Sequence, residues 1–262
     1  MQGPLLEWVF YRSVGIDREE KWMEWYDFHH YLMVQVPGWN WARMYRAIIG
    51  NEKYLSLYRV EDYEALQQVY GWPDPEAGRD EMIEAHLHPI LHRDVQDKEA
   101  RGLLDTGQFM FNGGSQKDTG HWGWKQLTGA PFDNPLVTHN SPIGFELVHV
   151  PADRADSWRT WYVEDRFPRL LGLPGVTIGG VFEITSDDWD EEPRFRFATL
   201  FELQDEAAAF AVGGTNDALP EAIAFWKDPE AESRYGEVGE RLINYYVPIS
   251  KHWSFQKVTW DK

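Results

Sequence analysis

No cysteine occurs in the chain, which removes disulfides, a thiolate nucleophile and Cys-ligated zinc or iron–sulfur centres from consideration. Basic residues are scarce: 25 Lys and Arg stand against 43 Asp and Glu, for a net charge of −18. A field of that sign repels phosphate backbones and anionic membranes, so neither is an expected partner. No apolar run approaches the length of a membrane span, and the first residues, MQGPLLEWVFYRSV, lack a basic start followed by an apolar core. A soluble, unprocessed, cytoplasmic protein is the expectation. Also missing are a P-loop, G-x-G-x-x-G, G-x-S-x-G and H-E-x-x-H. ATP chemistry, hydride transfer from a nicotinamide cofactor and serine hydrolysis therefore lose ground.

Aromatics, by contrast, are abundant at 15% of residues, with 14 Trp, which suggests aromatic-lined interiors or pockets. One stretch organises the rest: WYDFHHYLMVQVPG, Trp25 to Gly38, with two adjacent histidines among aromatics and a Pro-Gly stop. A weaker copy returns as WYVEDRFPRLLGLPG, Trp161 to Gly175, with one residue inserted. Downstream, Ser56 to Asp62 (SLYRVED) lies on Thr199 to Asp205 (TLFELQD). Three anchors in the same order divide the 262 residues into two units, 1–135 and 136–262.

Each unit reads as β-α-β-β-α-β. In the first, Leu6 to Val14 is a strand, and Asp17 is the predicted N-cap of a helix from Arg18 to Gln35. Trp39 to Ile48 and Tyr54 to Val60 follow as strands, then helical stretches through Val69 and from Asp80 to Asp97, and a fourth strand at Gln108 to Phe111. Asn112 to Ser141 is the predicted connection, with a short strand near Trp122 to Gln126. In the second unit, strands are expected at Ile143 to Val150, Val176 to Ile184, Phe195 to Leu203 and His252 to Thr259. Helices are expected at Asp153 to Leu171, Asp205 to Val212, Leu219 to Trp226 and Glu237 to Tyr246. That order is ferredoxin-like and the class α+β.

The segments WYDFHHYLMVQVPGWNWARMYR and YLSLYRVEDYEAL resemble the dimeric α/β-barrel superfamily, particularly its EthD-like and stress-responsive branches. The resemblance covers both halves and implies a tandem fused pair, with two antiparallel sheets closing into one α/β barrel. It implies an enzyme of small molecules, since members include isomerases, lyases, cyclases, cofactor-free monooxygenases and haem-binding enzymes; fold alone does not choose among them.

The family histidine falls on His30 and, in the second copy, on Arg166. Arg43 aligns with Gly180, Tyr45 with Phe182 and Tyr58 with Phe201, so at these positions the first unit is polar and the second is not. The expectation is one working pocket between the sheet and helices of the first unit, the second unit's site being degenerate. There His30 acts as general acid/base, because imidazole exchanges a proton near neutral pH without a cofactor. His29, about 100° around the helix, is the alternative. Tyr45 or Tyr58 would donate to an oxygen gaining charge, Arg43 would hold an anionic group, and Trp25, Trp39 and Trp41 would wall an aromatic substrate. His86, His88 and His92 form HLHPILH, but Pro89 disturbs any shared face, so no metal is expected and His88 reads as substrate-facing. No cofactor is expected; haem bound by one of these histidines, or a carrier that only binds its ligand, are the alternatives. A further two-fold pairing of the chain is expected.

Overall fold

The structure, a computed structural model, describes residues 5–11, 17–62, 64–66, 89–103, 110–111, 123–130, 141–185, 194–213, 217–249 and 253–254. Strand β1 (Leu5–Tyr11) leads to helix α1 (Glu19–Met33), then β2 (Trp39–Ile49) and β3 (Tyr54–Val60). After α2 (Pro89–Ala100) come β4 (Met110–Phe111) and β5 (Gly123–Gly129). The second half opens with β6 (Ile143–Val148) and α3 (Ala155–Trp161), which runs through a π-helical turn, Tyr162–Arg166, into α4 (Phe167–Leu171). Strands β7 (Val176–Thr185) and β8 (Phe197–Leu203) precede α5 (Glu206–Val212), α6 (Pro220–Trp226) and α7 (Pro229–Gly236), and the described chain ends with β9 (Arg241–Pro248) and β10 (Trp253–Ser254).

Each half forms an antiparallel sheet with the same internal order, β5-β1-β3-β2 and β9-β6-β8-β7. These sheets join along β5–β7 and β2–β9, so eight strands close on themselves, while β4 pairs only with β1 and β10 only with β2. Closure removes the exposed sheet edges of the separate halves. The expected α+β architecture of two ferredoxin-like units forming one barrel is therefore present.

Two of the expected strands differ. The fourth strand of the first unit is β5, in the stretch read as a connection, whereas Met110–Phe111 makes only a two-residue pairing with Phe10 and Tyr11. The closing strand of the second unit is β9, where a helix was expected. RLINYYVP alternates: Leu242 and Tyr246 pack in one core cluster, Ile243 and Tyr245 in another, a period-two pattern that outweighs the helical one. Asp17 is not the cap of α1; Arg18 holds that position, without a side-chain bond to the first turn.

Three cores follow from the alternation. Leu6, Trp8, Phe10, Leu55, Trp124, Phe145 and Leu200 fill the barrel interior, with Trp8 and Trp124 stacked at 4.1 Å across the β1–β5 pair. The outer face of each half is covered by its own helices. In both, a left-handed glycine lets the helix-to-strand corner press on the next helix. Gly38 (φ +84) and Gly175 (φ +88) would each, with a Cβ, meet the Cβ of Ala65 or Ala208 at 2.4 or 2.7 Å. Asp62 and Asp205 then accept from the backbone N–H of Ala65 and Ala208, each at 2.8 Å. Among the described residues no helix is long and apolar enough to cross a membrane.

Candidate functional site

Along α1, Trp22, Trp25, Tyr26, His29, His30 and Met33 recur at helical spacing and turn towards the outer face of the first sheet. His30 is fully buried, its Nε2 2.5 Å from Ser56 Oγ on β3, and its ring stands edge-on to Tyr26 and Tyr58 at 4.9 and 5.2 Å. Burial first, and the neighbouring His29 second, hold its pKa well below the ordinary imidazole value. It is therefore neutral at physiological pH. The Tyr26 hydroxyl bonds that of Tyr11 and accepts from Tyr58 at 3.4 Å, and burial pushes its own pKa up, so the phenol stays protonated.

His29 is placed differently. Its Nδ1 lies 2.9 Å from Asp94 Oδ2 on α2, with side chains 13% and 9% exposed, so this histidine retains access to solvent where His30 has none. A carboxylate only accepts, so in the neutral imidazole the Nδ1 proton faces Asp94 and Nε2 carries the lone pair. The Trp25 ring lies tilted beside it at 5.3 Å and donates to the backbone oxygen of Asp94 at 3.4 Å, and the Lys98 ammonium sits 4.6 Å over the Trp25 ring. The layer thus combines a carboxylate-oriented base, an ammonium and a chain of hydroxyls.

The single pocket expected from the sequence is divided by the sheet. His29, His30, Trp25, Trp39 and Tyr58 share the helix-covered side, where Trp39 Nε1 donates to the Ala65 carbonyl at 3.1 Å. Trp41 and Tyr45 point into the barrel. Arg43 lies on their side too: it is buried, its guanidinium 5.9 Å from the Tyr45 ring. Residues 43 and 45 do share a face, as alternation requires, but that face is the barrel interior. A register shift between Trp39 and Trp41 puts these two tryptophans on opposite sides. Inside the barrel Arg43 influences Glu202, whose carboxyl burial pushes up to about 8 despite the opposing guanidinium. His86 and His88 lie outside the described residues, as does the side chain of His92. Among the described residues no group of three or more His, Cys, Asp or Glu is placed to hold a metal.

Ser56, Tyr11 and Asp94 were not singled out from the sequence. Ser56 sits in the repeated SLYRVED segment, so the repeat carried a signal for it. Asp94 is 65 residues from His29 along the chain, and no spacing rule links them.

The second unit has its own polar layer, built from positions other than those compared above. Glu146 on β6 accepts from Tyr162 (2.6 Å), Tyr235 (2.8 Å) and Arg241 (2.6 Å), and Thr199 donates to the Tyr162 oxygen at 2.9 Å. Burial alone would raise the Glu146 pKa, but Arg241 and the two phenols outweigh it and hold the carboxylate ionised.

No protein-family model matches the chain, and no curated sequence matches it. Solved structures do. An anthrone oxidase-like protein is similar over 98% of this chain and 95% of its own, with 13% identity and a TM-score of 0.63. The chain has the dimeric α/β-barrel fold. Proposed monooxygenases from Fusobacterium nucleatum subsp. nucleatum ATCC 25586 and Lactobacillus acidophilus NCFM are similar over 97% of this chain each and 95% and 97% of their own, with 7% and 11% identity and TM-scores of 0.56 and 0.51. At such identities the barrel is what is shared.

Proposed function

We propose that the chain is a cofactor-independent enzyme that moves a proton on a small aromatic or polyketide-like molecule, of the lyase, isomerase or cyclase type, with His29 as general base. The observation that carries this reading is the His29–Asp94 pair. A base oriented by a carboxylate keeps one tautomer, and the carboxylate stabilises the imidazolium formed when Nε2 takes a proton. Lys98, over the same Trp25 ring, would steady the enolate or phenolate left behind. His30 holds the layer in register through Ser56, and Trp25 offers a flat wall to the substrate. The same deprotonation would also begin an oxygen-consuming reaction, the class suggested by the names of the similar structures.

The haem alternative is not supported at His30. Its Nε2 is bonded to Ser56 and its ring is enclosed by Tyr26 and Tyr58, which leaves this imidazole no open face for an axial bond. We further read the chain as an EthD-like tandem fusion working in the cytoplasm, its first unit, 1–135, being the catalytic half; the repeated glycine, aspartate and W-Y anchors support the fusion.

Anthrone and a panel of hydroxyaromatic carbon acids, incubated with the full chain and followed by absorbance and solvent deuterium uptake, test the proposal. His29→Gln is expected to reduce turnover by about 10²–10⁴-fold, with Asp94→Asn between it and the wild type. Undiminished turnover in His29→Gln would remove the histidine from the mechanism. Substrates that bind yet return unchanged and undeuterated would make the chain a carrier.

A further inference from the structure

We propose that the second unit binds a small monocarboxylate beneath α3, α6 and α7, held by Arg166 and Arg241. This site stands apart from the His29 reading and rests on different residues.

Arg166 is fully buried. Its Nη1 donates to the Phe225 carbonyl at 2.8 Å, but Nε and Nη2 have no acceptor. The guanidinium lies 3.4 Å over the Phe225 ring and within 5.5 and 5.8 Å of Trp226 and Tyr235. Arg241 approaches the same two rings from the sheet, at 5.0 Å from Trp226 and 4.1 Å from Tyr235, and its Nη2 also lacks an acceptor. Trp158 and Trp161, whose rings lie 5.1 and 6.1 Å from Tyr235, bury indole N–H groups with no acceptor. The unsatisfied groups of these four residues are thus donors, and the acceptor beside them that lacks a hydrogen bond, Asp228 Oδ2, lies 3.9 Å from Arg166 Nη1, beyond hydrogen-bond reach. Buried donors are nearly always paired in folded proteins, so the missing partner is an acceptor.

Glu146 accepts from Tyr162, Tyr235 and Arg241, and the hydrogen bond of Arg166 goes to the Phe225 carbonyl instead. Asp228 lies 3.9 Å from Arg166 Nη1 but is engaged by Arg169 at 2.6 Å. Set against Glu146, the two guanidiniums leave one positive charge, since Asp228 and Arg169 offset each other. One negative charge neutralises the cluster; a dianionic phosphate would overshoot it and face Glu146 across a poorly screened interior. The planar fork of a guanidinium matches a carboxylate, and Phe225 and Trp226 suit an apolar body attached to it.

The backbone supplies a second observation. The helix of the second copy contains a π-helical turn, Tyr162–Arg166, which ends at the arginine itself. Such turns are frequent at functional sites. A shallow cleft lined by Arg154, Ser157, Trp158, Arg234, Glu237 and Val238 touches Trp158, one of the indoles of the cluster.

Benzoate is the probe. Titrated into the full chain at low salt, with calorimetry and tryptophan fluorescence as readouts, it is expected to bind saturably at one site, and inorganic phosphate more weakly. Arg166→Met is expected to weaken benzoate by about tenfold or more, and Trp158→Phe, which keeps an aromatic ring of smaller size and removes the N–H, by a smaller factor. Circular dichroism checks that each variant is folded; should Arg166→Met fail to fold, Trp158→Phe decides. No saturable benzoate uptake by the wild type, or unchanged affinity in the folded variants, overturns the site. Phosphate binding as tightly as benzoate overturns its assignment to a monocarboxylate.

Discussion

The helix–sheet layers of the two units share a frame and differ in charge. Tyr26 and Tyr162 occupy matching places on their helices, Ser56 and Thr199 matching places beneath them, and each unit turns its corner on a left-handed glycine packed against an alanine. Yet Val9 sits opposite Ser56, whereas Glu146 sits opposite Thr199, and the neutral imidazole of His30 is answered by the guanidinium of Arg166. The frame is set by backbone conformation and close packing, which make substitution at the corner glycines costly. The chemistry is set by a few side chains on that frame, which can change without disturbing it.

Glu146→Val, which copies the first unit's Val9 into the second, tests that division most severely. It strips the acceptor from Arg241, Tyr162 and Tyr235 at once and leaves a buried charge unpaired, at a cost of about 3–5 kcal/mol. Urea unfolding should show the loss as a lower midpoint. Adding Arg241→Leu should recover part of it, because the orphaned cation is then gone as well. If the single variant is as stable as the wild type, Glu146 is not the hub that its three partners suggest.

Next in size are the two corners. Gly38→Ala and Gly175→Ala each force a side chain into the left-handed region and against an alanine, costing about 1–3 kcal/mol. Gly38→Ala should be the worse, its added Cβ meeting Ala65 at 2.4 Å where that of Gly175 meets Ala208 at 2.7 Å. Thermal melts that reversed this order would mean that the two corners are less alike than their geometry.

How much of this was legible in the sequence follows the same line. The Pro-Gly stops, the Asp62 and Asp205 helix starts and the W-Y anchors are local signals, and from them the two β-α-β-β-α-β units could be read, while their closure was implied by the resemblance to dimeric α/β barrels. A short strand near Trp122 to Gln126 was legible, but its place as the fourth strand of the unit, Gly123–Gly129, was not, because its pairing with β7 is a long-range fact, and RLINYYVP reads as helix only until the barrel supplies two faces to bury. At the site, helical spacing placed His29 and His30 correctly. It could not say that Arg43 and Tyr45 lie across the sheet, since alternation gives a shared face without saying which face is inside. Nor could it find Asp94, or the guanidinium layer of the second unit, whose members come from β6, the π turn, α7 and β9.

The smallest expected effect concerns pH, and it separates His30 from Arg166 directly. Since burial holds the folded-state pKa of His30 below its unfolded value of 6.5, the unfolded chain binds more protons than the folded one as pH falls through and below that value. The contribution of a neutral His30 is therefore complete above pH 6.5 and is lost on acidification, with a slope of at most about 1.4 kcal/mol per pH unit for a single proton. Glu202 acts oppositely: its raised pKa favours the folded state at low pH, and that contribution disappears as pH rises through about 8. The difference between wild type and His30→Gln isolates the first effect from the second. Denaturant midpoints measured from pH 5 to 8 should show His30→Gln losing less stability on acidification than the wild type, whereas a variant of Arg166, which keeps its charge throughout this range, should run parallel to the wild type. Parallel curves for His30→Gln would mean that the imidazole gains a proton as readily in the layer as in the unfolded chain, and the contrast between the two units at this position would then be one of shape alone.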